Sequence, residues 1–184
     1  MNEMDLFEGK FVNGNPTYYV DKSCTIPFTG HLEEYFEGKL SRECDIVNGV
    51  MEGIEKIYYD FDGCLELYRE VSENRNNGLS IEYYKSGQIM VITTAIDEYY
   101  IIDYYSYTEE GEQREIRILE ENNQWQHHCY HYGKVEESWR RADDGLVPMN
   151  YAKNKDKILE IRKRCQLEKM NKEILKYGNT FSGF

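Results

Sequence analysis

Histidine and cysteine are concentrated in one short stretch of this chain. Three of its four histidines lie at positions 127, 128 and 131, with Cys129 between them. If this stretch is a β-strand, alternate side chains share a face, so His127, Cys129 and His131 point the same way. Imidazole and thiolate are ligand types of zinc, but ligands two residues apart on a strand lie roughly 7 Å apart, too wide for one tetrahedral ion without flanking help. We therefore expect no native metal, and these three residues are the zinc candidate.

Paired carboxylates recur along the chain, as at Glu33-Glu34 and Glu120-Glu121. Two carboxylates across a cleft are the apparatus of glycosidases. With 34 acidic residues in the chain, however, such pairs are expected mainly as solvated turn and edge residues. The sequence has no Ser/His/Asp signature, no phosphate-binding glycine loop and no Cys-X-X-Cys pair. We therefore predict a protein that is not an enzyme and that needs no cofactor.

The elements that position these residues follow a repeat of 23 to 25 residues. Units begin at Gly30, Gly53 and Gly78, and each glycine is followed five residues later by a tyrosine with a second aromatic beside it. A short period of this kind indicates one supersecondary unit stacked on its neighbours, usually as a binding surface or scaffold. Two degenerate units follow, the first with Ile102 where the repeat predicts glycine. The predicted units are 30–52, 53–77, 78–101, 102–125 and 126–142.

The pattern predicts a mainly β fold, an extended twisted antiparallel sheet of repeated β-hairpins with a C-terminal helix. The β-branched and aromatic runs bounded by glycine and asparagine indicate the strands. Asn48-Gly49 and Asn77-Gly78 are read as hairpin turns. The strands are expected at Gly9–Val12, Ile54–Tyr59, Ile89–Ile96, Tyr99–Tyr107 and Glu115–Leu119.

Segments of different composition flank the repeats. Residues 1–29 are predicted to be a lead-in hairpin, 143–150 a linker and 151–184 a helix with a tail. The helix is expected over Ala152–Tyr177, closed by a glycine. Its apolar residues do not form one stripe, since Ile158 and Ile161 lie on one face and Leu159 nearly opposite. This pattern suits a helix that bends, or one that contacts the sheet first and something else later. The simpler alternative is that the helix caps the last repeat.

Charge divides the chain in two. Residues 1–150 carry 13 basic against 30 acidic residues, a net −17, whereas residues 151–184 carry 9 against 4, a net +5. An acidic array repels nucleic acid phosphates and attracts a basic protein, so we expect neither nucleic acid nor membrane as a partner. The alternative is that the charge serves solubility alone. The five dispersed cysteines and the acidic first residues predict a cytoplasmic protein with reduced thiols.

Tyrosine is the outlier of the composition, with 17 residues. In the pairs Tyr58-Tyr59 and Tyr83-Tyr84 successive side chains point to opposite faces. We favour packing between units for the first of each pair, and the second has either a structural role or a role as a partner-binding hot spot. A one-residue slip of register would exchange the two faces. The residues predicted to face a partner are Glu34, Tyr59, Asp60, Glu82, Tyr84, Asp103 and Tyr105.

The stretches TYYVDKSCTIPFTGHLEEYFEGKL (17–40), VNGVMEGIEKIYYDFDGCL (47–65) and NNGLSIEYYKSGQI (76–89) resemble the bacterial MORN repeat variant proteins, commonly labelled YwqK-type antitoxins. The shared pattern is a Pro-Phe-Thr-Gly lead-in, here residues 27–30, followed by spaced Asn-Gly, Tyr-Tyr and Gly-Lys/Gln-Leu/Ile elements. The resemblance covers roughly residues 15–112 and implies a sheet of β-hairpins. It also implies an immunity protein that binds a cognate toxin, with no catalytic residues to transfer.

Two functions follow from these observations. The first is an antitoxin whose acidic, tyrosine-rich sheet covers the basic active site of a toxin such as a nuclease or deaminase. The second is a scaffold or protein-interaction module with no toxin involved.

Overall fold

The computed structural model describes residues 6–60, 62–97, 100–131, 134–142 and 151–176 of the chain; for 100, 131, 134–142 and 165–176 it describes the backbone alone. The predicted linker 143–150 and the tail beyond residue 176, with the predicted closing glycine, lie outside the described residues. Within the described part the chain forms twelve strands and one helix. They are β1 (Phe7–Val12), β2 (Asn15–Tyr19), β3 (Gly30–Phe36), β4 (Lys39–Val47), β5 (Val50–Tyr58), β6 (Leu65–Ser72), β7 (Arg75–Tyr83), β8 (Ile89–Ile96), β9 (Tyr100–Tyr107), β10 (Gln113–Leu119), β11 (Gln124–His131), β12 (Lys134–Ala142) and α1 (Tyr151–Lys176).

Strands β3 to β12 form a single antiparallel sheet in which each strand pairs only with its neighbours in sequence. Strands β1 and β2 form a separate two-stranded hairpin. The predicted fold class, a mainly β array of hairpins with a C-terminal helix, is confirmed. The division into five units stays a prediction, although two consecutive strands fall largely within each.

Two-residue turns join several of these strands. Asn13-Gly14 and Asn48-Gly49 have positive φ at both residues, 53° and 85° in the first and 51° and 83° in the second. This is the geometry of the type I′ hairpin that asparagine-glycine pairs favour, so the second turn is confirmed. The turn predicted at Asn77-Gly78 is wrong, because that pair lies inside β7 and the chain reverses at Glu73 and Asn74.

Gly78 is needed for a different reason than a turn. Its φ is +140°, and a Cβ added there would lie 1.9 Å from Oε2 of Glu70. The Glu70 carboxylate folds over this backbone and accepts the Leu79 N–H at 2.9 Å. Gly53, at φ +106°, lies under Asp45 in the same way. At Gly53 and Gly78 the repeated glycine therefore marks the place where an acidic side chain of the preceding strand crosses the chain.

Ile102 breaks the glycine pattern because the crossing side chain is shorter there. Thr94 stands nine residues before Asp103, as Glu70 stands nine before Leu79, and its hydroxyl accepts the Asp103 N–H at 3.1 Å. The shorter side chain leaves room for Ile102, which is fully buried.

Two clusters of buried residues lie on opposite faces of the sheet. On one face, Tyr18 and Phe28 of the N-terminal segment pack against Leu32 of β3 and strands β4 to β6. On the other, helix α1 packs against β7 and β8 and against apolar residues at the strand ends. The second cluster consists of Ile96, Ile102, Leu119, Tyr151, Ile158 and Ile161, with Trp125 beside it. The strand register shows that these faces are opposite. Leu79 and Ser80 are neighbours on β7, so their side chains point to opposite faces. Cross-strand pairing places Cys44 and Glu55 on the face of Ser80, and Thr94 and Asp103 on the face of Leu79.

The helix prediction is confirmed in extent and in part of its orientation. Ile158 and Ile161 are buried, whereas Leu159 on the other side is 47% exposed. The described side chains of α1 pack in the middle of the sheet, where Arg162 binds Asp103 and Arg164 binds Glu70. The side chains of residues 131–142 lie outside the described part, so capping of the last predicted repeat, 126–142, stays a prediction.

The N-terminal hairpin is fastened to the strand ends by backbone and asparagine hydrogen bonds. The Tyr18 N–H donates to the Gly49 carbonyl at 2.8 Å, and the buried Asn74 side chain donates to the Val12 carbonyl at 3.0 Å while accepting the Met51 N–H at 2.6 Å. Asn74 therefore ties the hairpin to β5.

The Pro-Phe-Thr-Gly lead-in forms the entry to β3. The ring of Phe28 lies over Gly30, 2.8 Å from the position of an added Cβ, and the Thr29 hydroxyl accepts the Asn48 N–H at 2.9 Å. Phe28 and Gly30 therefore have a packing role, and Thr29 has a hydrogen-bonding role.

Candidate protein-interaction surface

The second tyrosine of each pair ties one unit to the next. The Tyr59 hydroxyl donates to the Tyr83 carbonyl at 2.7 Å, and the Tyr84 hydroxyl donates to the Tyr107 carbonyl at 2.9 Å. Both side chains are half-buried. The hydroxyls that the sequence offered to a partner therefore donate to backbone carbonyls of the next unit.

The first tyrosine of a pair lies on the helix-bearing face. Four apolar residues, Leu79, Ile81, Ile89 and Ile92, form a buried cluster there, and half-buried tyrosines pack around it. Tyr105, one of the residues predicted to face a partner, belongs to this group. We call the surface formed by Tyr68, Tyr83, Tyr105 and Tyr107 the tyrosine patch.

Carboxylates gather at the end of the sheet where the β5–β6, β7–β8 and β9–β10 turns lie. Burial, together with nearby Glu66, Asp62, Glu82 and Glu109, raises the pKa of Tyr59. The exposed ammonium of Lys85 lies 5.4 Å from the centre of the Tyr59 ring. We call this region the acidic turn end; its members are Tyr59, Asp60, Asp62, Glu66, Glu82, Glu109, Glu110 and Glu112.

The predicted partner residues do not form one surface. Tyr59, Asp60, Glu82 and Tyr84 lie at the acidic turn end or border it, and Tyr105 is in the tyrosine patch. Asp103 is 1% exposed and is held by Arg162 through two contacts of 2.8 Å, so its carboxylate cannot contact a partner as predicted. The reason is that α1 covers this part of the sheet.

Glu34, also predicted to face a partner, belongs to an ion network on the hairpin-bearing face. Arg42 contacts Glu34 at 2.5 Å and the buried Glu55 at 2.7 Å, and Arg69 contacts Glu55 as well. Although burial opposes the charge of Arg42, the carboxylates raise its pKa above the ordinary value. Sequence reasoning missed this network because its members come from four different strands.

The zinc candidate is partly assembled on that same face of the sheet. The His127 Nε2 lies 3.4 Å from the Cys129 sulfur and 2.6 Å from a carboxylate oxygen of Glu115 on the neighbouring strand. His127 and Cys129 are thus much closer than the strand spacing predicted. The side chain of His131 lies outside the described residues.

The same geometry bears on nucleophilic catalysis. A relay from cysteine through histidine to a carboxylate needs the two partners on different ring nitrogens. Here Cys129 and Glu115 both approach Nε2 of His127. Among the described side chains this arrangement therefore does not form such a relay.

Comparisons with known proteins give little. No protein-family model matches the chain, and no curated protein matches it. Among solved structures, the chain is similar to one described as the crystal structure of the GtfA/B complex bound to UDP and GlcNAc, with 9% identity and a TM-score of 0.28. The alignment covers 77% of this chain and 29% of that one. A likeness at this level carries no argument about fold or function.

Proposed function

We propose that this chain is a non-enzymatic immunity protein or antitoxin that neutralises a cognate bacterial toxin by binding it. The observation that carries the proposal is the acidic turn end, which contains Tyr59, Asp60 and Glu82 of the seven residues predicted to face a partner and borders a fourth, Tyr84. The MORN repeat variant resemblance of residues 17–40, 47–65 and 76–89 supplies the toxin as the class of partner.

The proposed mechanism is occlusion of a basic surface. Asp60, Asp62, Glu109, Glu110 and Glu112 are all exposed at the acidic turn end. A cluster of one sign attracts a cleft of the other sign and accelerates encounter, and salt screens the attraction. A toxin that acts on a phosphate-bearing substrate, such as a nuclease or a nucleotide deaminase, offers a basic cleft of this kind. The acidic array disfavours nucleic acid and lipid as direct partners.

A cytoplasmic location is part of the proposal. The described cysteines Cys24, Cys44 and Cys64 form no disulfide, which suits a reducing compartment. No helix in the described part of the chain combines the length and the apolarity needed to cross a bilayer.

Co-expression with the product of the adjacent gene tests the proposal. The chain is expected to rescue growth and to co-purify with that product. Replacing Asp60, Glu109 and Glu112 by lysine should slow association at least tenfold at low salt, because the attraction becomes repulsion. The matched control replaces Glu8, Asp156 and Glu160 by lysine, three exposed acids with the same change in net charge. This control should bind like the wild type.

Other outcomes would overturn the proposal. Equal loss in both triple variants would mean that net charge, not the acidic turn end, governs binding. A neighbouring gene product that is harmless and does not bind would favour the scaffold function, for which the same sheet is suited.

A further inference from the structure

A second group of chemically active side chains lies on β3 and β4, the first two strands of the large sheet. His31 and Glu33 are two residues apart on β3 and share a face. Register places Asp45 directly opposite His31, and Glu43 directly opposite Glu33. Like charges placed opposite each other on neighbouring strands destabilise a sheet. Glu33 and Glu43 therefore form an arrangement that a cation would stabilise.

Each of three side chains in this group is held through an atom that a metal would not use. The Asp45 carboxylate lies 2.8 Å from the His31 Nδ1, which fixes the ring with Nε2 towards Glu43. Lys56 and Tyr58 donate to Oε1 of Glu43 at 2.7 Å and 2.6 Å, leaving Oε2 towards the histidine.

The third side chain is held in the same manner. The Tyr35 hydroxyl donates to Oε2 of Glu33 at 3.0 Å. A carboxylate behind a ligating histidine, and hydrogen bonds to ligating carboxylates, are the outer contacts that metal sites use to orient their ligands.

The distances suit a small divalent ion. Zinc lies about 2.0–2.1 Å from nitrogen and oxygen ligands, so tetrahedral ligand atoms stand about 3.3 Å apart. The His31 Nε2 and the Glu43 Oε2 are 3.2 Å apart. Ligand atoms of His31, Glu33 and Glu43 all lie within 4.8 Å of one another, so Glu33 closes the set with a small side-chain movement.

We propose that His31, Glu33 and Glu43 bind one divalent cation of the zinc class, with Asp45 orienting the histidine. An imidazole with two carboxylates is a ligand set for zinc, whereas calcium and magnesium favour oxygen ligands alone. Three protein ligands leave a fourth coordination position open to water or to a group from another molecule. The site is independent of the proposed toxin, because it is defined by contacts within the chain.

In the metal-free chain the same residues form an ion-paired group. His31 faces carboxylates through both ring nitrogens, and these hydrogen bonds, first to Asp45 and then to Glu43, raise its pKa. If these residues serve only as an ion-paired group, the chain binds no metal there. Direct titration with a metal therefore distinguishes this role from a cation site.

Titration of the metal-free full chain with ZnCl₂ by calorimetry, and with CoCl₂ by absorption, tests the proposal. One equivalent is expected to bind, with a cobalt spectrum that lacks a thiolate charge-transfer band. His31→Gln and Glu33→Gln should each weaken binding at least tenfold, and Asp45→Asn by about 10–100-fold, the usual effect of losing an outer contact. The control Cys129→Ser removes the thiol of the other zinc candidate and should leave binding unchanged.

Three results would overturn it. They are no binding of either metal to the wild type, unchanged binding in a folded His31→Gln variant, and a thiolate band in the cobalt spectrum that Cys129→Ser abolishes. The last result would place the ion at His127 and Cys129. Because the wild-type spectrum separates the two sites by itself, the test does not depend on every variant folding.

Discussion

At the scale of single residues, the Glu70 side chain explains why position 78 is glycine. Alanine there would have φ +140° and a Cβ 1.9 Å from the Glu70 carboxylate, which also accepts the Leu79 N–H. We expect Gly78→Ala to lower the free energy of unfolding by about 2–4 kcal/mol, from backbone strain and overpacking together. Urea denaturation of the variant and the wild type measures this change.

Gly38→Ala is the matched control for this substitution. Gly38 has φ +79° but nothing within 4 Å of an added Cβ, so only the backbone term of about 1–2 kcal/mol applies. In a Glu70→Ala background the clash of the Gly78→Ala side chain with the carboxylate is removed, only the close contact of 3.0 Å with the Cβ of residue 70 remains, and the added cost should shrink. An equal cost with and without Glu70 would contradict this explanation.

The tyrosine ties between units make a separate prediction. Tyr59→Phe and Tyr84→Phe each remove a hydroxyl that donates to a backbone carbonyl, at 2.7 Å and 2.9 Å. Each should cost about 0.5–1.5 kcal/mol in the free energy of unfolding. Tyr35→Phe, on an exposed side chain, should stay within about 0.5 kcal/mol. Thermal or urea unfolding measures the three, and equal effects at all three positions would contradict a role as ties.

Residue types and spacing predicted where turns and paired tyrosines occur. They did not predict which residues on other strands these contact, because such contacts depend on the strand register. Asn48-Gly49 and Asn77-Gly78 look alike in sequence, yet only the first is a turn. What decides the second is Glu70 on the preceding strand. The group around His31 escaped sequence reasoning for the same reason, since Glu43 and Asp45 come opposite it only through strand register.

At the scale of elements, a buried ion pair joins α1 to the sheet beside the apolar contacts of Ile158 and Ile161. Arg162 holds the buried Asp103 through two contacts of 2.8 Å. Arg162→Met should cost about 3–5 kcal/mol in the free energy of unfolding, because it leaves Asp103 buried without a counter-charge. Denaturant unfolding monitored by circular dichroism measures the loss.

Arg164 on the same helix offers the control. It contacts Glu70 at 2.9 Å but is 43% exposed, so Arg164→Met should cost at most about 1 kcal/mol. Adding Asp103→Leu to Arg162→Met should recover part of the lost stability, since the unpaired buried charge is then gone. Failure of this recovery would mean that α1 is held mainly by other contacts.

The helix itself was predictable within one residue at its start, but its docking site was not. The periodicity separated Ile158 and Ile161 from Leu159, as the burial confirms. Nothing in the helix sequence shows that Arg162 meets Asp103, because that pairing depends on the path of the chain between the last strand and α1.

At the scale of the whole molecule, stability is divided between clusters rather than held in one core. The cluster around Leu32 lies under the N-terminal hairpin, and the cluster around Ile158 lies under α1 on the opposite face. In arrays, units interact chiefly with their neighbours. Leu32→Ala should therefore accelerate amide hydrogen exchange in β3 to β5 more than in β9 and β10, and Ile158→Ala should do the reverse. Exchange measured by mass spectrometry distinguishes this from a uniform acceleration, which would indicate a single cooperative core.

Pairing of each strand only with its neighbours in sequence also has a consequence for synthesis. Contacts that are local in sequence form quickly, and domains acquire structure in the order in which the chain leaves the ribosome. Each strand of the large sheet meets its partner as soon as the next few residues emerge. Ile96, Ile102 and Leu119 must wait longer, because their cover, the stretch from Tyr151 to Ile161, is translated after all the strands of the sheet. During that interval the nascent chain carries an uncovered apolar surface, and this is the stage at which a chaperone would be needed.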